Sequence, residues 1–201
     1  SLLSAYWNGA ATYYRGLLSE LAQRGYDITF YEPDAFDRQQ HKDIEPPDYA
    51  RVVVYPATET ALQTVIASAA EADVVVKASG VGVFDDELLE GVMSLARPHA
   101  VKIFWDVDAP ATLAHLRANP GDVMHRVLPQ LDLVLTYGGG PPVVNAYQAA
   151  GARLCRPIYN ALDAATHHPV APQARFEGDL NFLANRLPDR EARVERFFIE
   201  P

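Results

Sequence analysis

Short apolar runs alternate with amphipathic segments along most of this chain, and that alternation restricts the fold more than any other feature. The runs fall at residues 28–31, 52–55, 74–76, 101–105 and 133–136, with a stub at 2–3. Each ends in small or polar residues, and stretches with helical spacing lie between them. Strands that alternate with helices mark a parallel sheet covered by helices on both faces. The expected fold class is therefore α/β with a doubly wound parallel sheet. In a sheet ordered 3-2-1-4-5-6, ligands bind beyond the carboxyl ends of the strands, where the order reverses. The unusual residues of this chain collect in the loops at that end.

The spacing predicts a first helix over residues 10–24, with Tyr14, Leu17, Leu18 and Leu21 as its inner stripe and Gly25 as its stop. Strands are expected at 27–31, 51–55, 73–77, 101–105 and 133–136, with a short one at 153–155. Helices are expected at 59–71, 85–96, 111–116, 123–131 and 143–150. Residues 32–49 are polar, end in Pro46-Pro47, and read as a long loop. The composition turns to Pro, His and polar residues at 164–178, a linker pattern. A strand at 179–184 and a helix at 189–198 would then open a second domain. The expected organisation is a Rossmann-like domain over 1–163, a linker over 164–178, and the first βα unit of a truncated domain over 179–201. The chain begins without methionine inside its first strand and closes just after a helix, so it reads as a piece of something longer.

Composition narrows the partners. A net charge of −9 leaves no basic excess to displace counterions, so nucleic acid is not expected. No apolar run approaches the ~20 residues of a membrane span, and no secretory leader is visible. The expected location is cytoplasmic. The single cysteine, Cys155, excludes an internal disulfide and reads as a small buried hydrophobe.

Four loops hold residues suited to chemistry. Asn8-Gly9-Ala10-Ala11-Thr12 joins strand one to helix one, and reads either as a tight turn or as a helix N-terminus open to an anion. It lacks the full G-x-G-x-x-G fingerprint of dinucleotide binding. Tyr6 and Trp7, two aromatics in that loop, either stack on a ligand ring or pack beneath the loop. Lys77 ends a three-valine strand, and reads either as a charge offered to the crevice or as a snorkelling surface lysine. Asp106-Val107-Asp108 follows another strand. Its aspartates can cap the next helix, act as acid or base in the crevice, or hold a divalent cation; Asp108-Ala109-Pro110 fits the capping pattern. Gly138-Gly139-Gly140 allows close approach of backbone to a ligand or serves as a hinge. No metal is expected: the paired histidines His167 and His168 lack accompanying ligands, and His115 and His125 fall in helical stretches. No nucleophile elbow or Walker motif occurs.

Several of these patches together resemble one family. The stretch from Trp7 to Arg15 is similar to the first loop and helix of the CgeB-like, spore-maturation type glycosyltransferases. Phe104-Trp105-Asp106-Val107-Asp108-Ala109-Pro110 resembles their aromatic-Asp-x-Asp-Thr-Pro segment, and Thr136-Tyr137-Gly138-Gly139-Gly140-Pro141 their Thr-Gly-Gly-Pro loop. Pro157-Ile158-Tyr159-Asn160 through Asp163 looks like the end of their first domain. Asp179-Leu180-Asn181-Phe182-Leu183 with Pro188-Asp189-Arg190 looks like the start of their second. Ala10 stands where a histidine often follows the first-loop glycine, and most of the second domain is absent.

The resemblance implies a GT-B fold, in which a first domain receives the acceptor and a second binds the nucleotide-sugar donor without a metal. It implies Asp106 or Asp108 as the base. It implies a substrate-binding set of Tyr6, Trp7, Asn8, Gly9, Lys77, Gly138, Gly139, Gly140 and Asn160. Arg186 and Arg190 would approach the donor diphosphate, or else form a solvated helix start. No cofactor is expected beyond the nucleotide sugar as substrate. The alternatives are a non-catalytic Rossmann-like module that binds a small ligand, and a degenerate glycosyltransferase homologue acting as a partner subunit.

Overall fold

Valine-rich segments became strands, and the amphipathic stretches between them became helices. The computed structural model describes residues 3, 9–80, 82–160, 167–182 and 188–200. The chain divides into two compact units, Ser1–Ala164 and Ala165–Pro201.

In the first unit, α1 (Gly9–Gln23) precedes β1 (Thr29–Asp34) and β2 (Arg51–Pro56). Then follow α2 (Glu59–Ala69), β3 (Val74–Ala78), α3 (Asp85–Leu95) and β4 (Val101–Asp106). Helices α4 (Ala109–Ala118) and α5 (Val123–Val127) lead to β5 (Leu133–Thr136), α6 (Gly140–Ala149) and β6 (Cys155–Pro157). Among the described residues every strand pairing is parallel. β1 pairs with β2, and β3-β4-β5-β6 form a second sheet in sequence order. This is an α/β architecture of parallel sheets flanked by helices, Rossmann-like and doubly wound.

Strand one, expected at residues 2–3 in the centre of the sheet, lies outside the described residues except for Leu3, which takes part in no ladder among them. The Leu3 backbone groups are met by side chains: the amide donates to Glu32 Oε1 at 2.6 Å, and the carbonyl accepts from Arg15 Nε at 2.7 Å. Glu32 is fully buried by this arrangement, so β1 runs on to Asp34 where a loop was expected. The rest of that loop contains a 3-10 turn, Arg38–His41, and is held to α1 by the Arg15–Asp43 ion pair. The Arg15 hydrogen bond keeps the Asp43 carboxyl below its usual range.

The two sheets meet through one aromatic cluster. Leu3, Tyr13, Tyr14 and Trp105 are buried there with Phe30 and Val52 from one sheet and Ala78 and Leu135 from the other packed against them. Tyr14 meets Trp105 edge-on at 5.0 Å, and Tyr13 meets it at 5.6 Å. Helices α2 and α3 cover the opposite face, where Leu62, Ile66 and Val92 are buried with Val75 of β3. A third cluster joins Phe104 and Val134 to α4, α5 and α6. Cover is incomplete on the first half of two strands, where Val74, Val76 and Val101 remain more than 40% exposed. Among the described residues, no helix is long and apolar enough to cross a membrane.

Helix ends follow local chemistry. Thr58 caps α2 by accepting from the Ala61 amide, and Asp122 caps α5 by accepting from Met124 at 2.8 Å. α6 starts at Gly140, three residues before its expected start, because Pro141 and Pro142 occupy a first turn that needs no amide hydrogen.

In the second unit, Ala174–Phe176 forms a 3-10 turn and α7 (Pro188–Val194) runs into a π-helical turn, Glu195–Ile199. Residues 179–182, expected to open a strand, are irregular, and 183 and 184 lie outside the described residues. The Phe182 and Phe198 rings meet at 4.9 Å.

The aromatic seam predicts its own disruption. Tyr14 is 2% exposed, so Tyr14→Ala is expected to lower unfolding free energy by about 3–5 kcal/mol, read by urea denaturation.

Candidate functional site

Because β3 to β6 run parallel, their carboxyl ends share one rim. Asp106 pairs in register with Thr136, and Thr136 with Pro157, so the loops leaving β4, β5 and β6 start level. Helix α1 reaches this rim too. Tyr13, in its first turns, stacks edge-on against Tyr137 at 4.7 Å just past β5.

Asp106 is the hub. It is fully buried. Its Oδ1 accepts from Ser79 Oγ and the Asp108 amide at 2.9 Å and from Thr112 Oγ1 at 3.1 Å. Its Oδ2 accepts from the Tyr147 hydroxyl. Ser79 Oγ also accepts from the Val107 amide at 2.8 Å. One carboxylate thus joins the loop after β3, the β4–α4 turn and helix α6. Burial, followed by the Asp106 charge, drives the Tyr147 phenol far above its usual range, so it stays a donor. Both of its oxygens are engaged and the side chain has no exposed surface.

Asp108 is arranged the other way. It is exposed and occupies the N-cap position of α4, yet its side chain makes no capping bond. Asp106 already accepts the Asp108 amide, and Thr112 bonds back to the Asp108 carbonyl. The Asp108 carboxylate is left facing solvent on the rim.

Lys77 does not offer a free charge. It is 8% exposed and donates to Asp85 Oδ1 at 2.7 Å and to the Ala78 carbonyl at 3.0 Å. Asp85 Oδ2 accepts from the Gly82 amide at 2.9 Å. The ion pair closes the loop between β3 and α3.

Gly139 is the N-cap of α6 with φ of 85°. A Cβ there would lie 2.2 Å from Val143 Cγ2, so the turn needs glycine for both its angle and its space. Gly138 and Gly140 flank it on the rim, and Asn160 lies exposed just beyond β6. Gly9 is the first residue of α1. Tyr6, Trp7, Asn8 and Arg186 lie outside the described residues; Arg190 lies in α7 of the second unit, its side chain outside them. Among the described residues, no three His, Cys, Asp or Glu side chains converge as a metal site.

Sequence reasoning brought Asp106, Asp108 and the glycine loop to one rim but missed Ser79, Thr112 and Tyr147 as partners of Asp106. Ser79 lies in the loop that follows Lys77, and Thr112 in the first turn of α4 just after the aspartate pair. Tyr147 is 41 residues from Asp106, and no local pattern signals it. Comparison with protein-family models, curated proteins and solved structures finds no match for the chain.

The two aspartates should respond differently to substitution. Asp106→Ala strands buried donors on Ser79, Thr112 and Tyr147, and is expected to cost about 3 kcal/mol or more in urea denaturation. Asp108→Asn should stay within about 0.5 kcal/mol of the parent.

A pH dependence also follows. Burial, with Asp106 next, pushes the Cys155 thiol from 9.0 to about 11. Burial, with Tyr14 next, pushes the Tyr13 phenol from 10.0 to about 12. Both groups hold their protons more tightly when folded, so their contribution to stability is complete below pH 9.0 and is lost as pH rises to about 12. Urea midpoints should fall between about pH 8 and about pH 10.5.

Proposed function

We propose that this chain is the acceptor-side part of a glycosyltransferase of the GT-B kind, using a nucleotide-sugar donor. The observation that carries the reading is the solvent-facing Asp108 carboxylate on a rim locked by Asp106. In the proposed reaction Asp108 takes the proton of an acceptor hydroxyl. That oxygen bonds to the anomeric carbon, and the bond from that carbon to the diphosphate breaks, its electron pair leaving with the phosphate oxygen. The Gly138–Gly140 loop lines the acceptor side.

Electrostatics favour an acceptor over a diphosphate here. Lys77 is neutralised by Asp85, so the rim shows Asp108 without that countercharge. A neutral, hydroxyl-bearing ligand fits such a surface. The donor diphosphate is assigned to the second domain, with Arg186 and Arg190 as its proposed partners.

A second reading has its own support. With Asp106 fully engaged and Lys77 paired, few free groups remain for catalysis, which favours a Rossmann-like module that binds a ligand without turning it over.

Calorimetry and turnover assays with UDP-, GDP- and TDP-sugars separate the two. In a chain carrying the complete second domain, turnover is expected, and Asp108→Asn should lower kcat by about 10²- to 10⁴-fold. The 201-residue chain alone should show no robust turnover. Normal turnover by the Asp108→Asn variant would remove the base assignment, and binding without turnover would favour the module.

A further inference from the structure

We propose that Tyr159 is the stacking platform for a pyranose ring of the acceptor, an inference that rests on the acceptor-side reading above. The placement of Tyr159 is specific. The Ile158 amide donates to the Thr136 carbonyl at 2.6 Å, fixing this segment to β5 just as it leaves the sheet. Ile158 packs inward against the aromatic cluster, while Tyr159 next to it is 62% exposed.

The ring is seated, not loose. Its Cδ1–Cε1 side lies over Gly138, where an added Cβ would come within 3.3 Å of Cε1 and 3.4 Å of Cδ1. A side chain at 138 would push against the ring. Gly138 thus combines a positive φ of 158° with close contact to the ring.

Register sets the ring and the proposed base on loops that leave the same rim. Asp106, Thr136 and Pro157 stand level on β4, β5 and β6, and two residues further on come Asp108, Gly138 and Tyr159. Neighbouring strands lie about 4.8 Å apart, so the loops bearing Asp108 and Tyr159 leave strands about 10 Å apart, with glycine backbone between them. That width admits one sugar ring. A pyranose presents one face of C–H bonds, polarised by adjacent oxygens, and this face is attracted to the electron-rich face of an aromatic ring. Its hydroxyls then point outward, toward a carboxylate on one side and the exposed Asn160 amide on the other. A floor of glycine, an aromatic wall and flanking carboxylate and amide match a neutral saccharide better than an anion or an apolar ligand.

The test is saturation-transfer NMR on the 201-residue chain, with methyl β-glucopyranoside and methyl β-galactopyranoside as probes. Irradiation of tyrosine ring protons should transfer to the ring protons of at least one glycoside. Tyr159→Ala should weaken its binding about tenfold or more, and Tyr159→Phe should leave it within about twofold. Thermal melting of each variant checks the fold, and an exposed ring should be removable without unfolding the chain. Equal affinity in a folded Tyr159→Ala variant, or no binding of either glycoside to the parent at millimolar concentrations, overturns the proposal. If Tyr159-dependent binding is found but no nucleotide sugar is turned over with the complete second domain, the platform stands and sugar transfer falls. If transfer occurs and Tyr159→Ala leaves the acceptor KM unchanged, the platform alone falls.

Discussion

A buried carboxylate is the interaction on which this architecture turns. Asp106 has no solvent contact, and a charge in that position persists only when its oxygens are hydrogen-bonded. Its donors come from the β3–α3 loop, the β4–α4 turn and helix α6. Displacing any of these three segments leaves a charge or a hydroxyl unsatisfied in the interior. The rim is therefore specified by electrostatics at its base, while dispersion and apolar burial hold the layers beneath it.

The second constraint is the aromatic seam. Among the described residues the two parallel sheets share no ladder, and α1 inserts Tyr13 and Tyr14 among side chains from both. Edge-on ring contacts have directional preferences, so they fix the angle of the helix as well as its distance. The same helix carries Arg15, which satisfies Leu3 and restrains the loop at Asp43. One helix thus settles the sheet junction, the entry of the chain and the position of its own N-terminus at the rim.

The degree to which this was legible in the sequence depended on the range of the forces involved. β5 was read to the residue, because Leu133–Thr136 is a short apolar run between polar neighbours. The start of α6 was missed although its signal was present, since paired prolines were read as preceding the helix when they form its first turn. Of strand one only Leu3 lies among the described residues, and its backbone meets the side chains of Glu32 and Arg15. The aspartate pair was located correctly in the chain, and its division of labour was not visible. Local pattern made Asp108 the cap, whereas Asp106 takes the turn amide through a network completed by a tyrosine far along the chain. The same limit applied to Lys77, whose strand context gave no hint that Asp85 would neutralise it.

The separation of duties between two neighbouring aspartates bears on how such a surface changes over generations. Architecture depends on the inner acid alone, so natural selection is free to exchange the outer one without first repairing the scaffold. Adaptation to a new ligand can proceed there by single steps, each intermediate remaining folded.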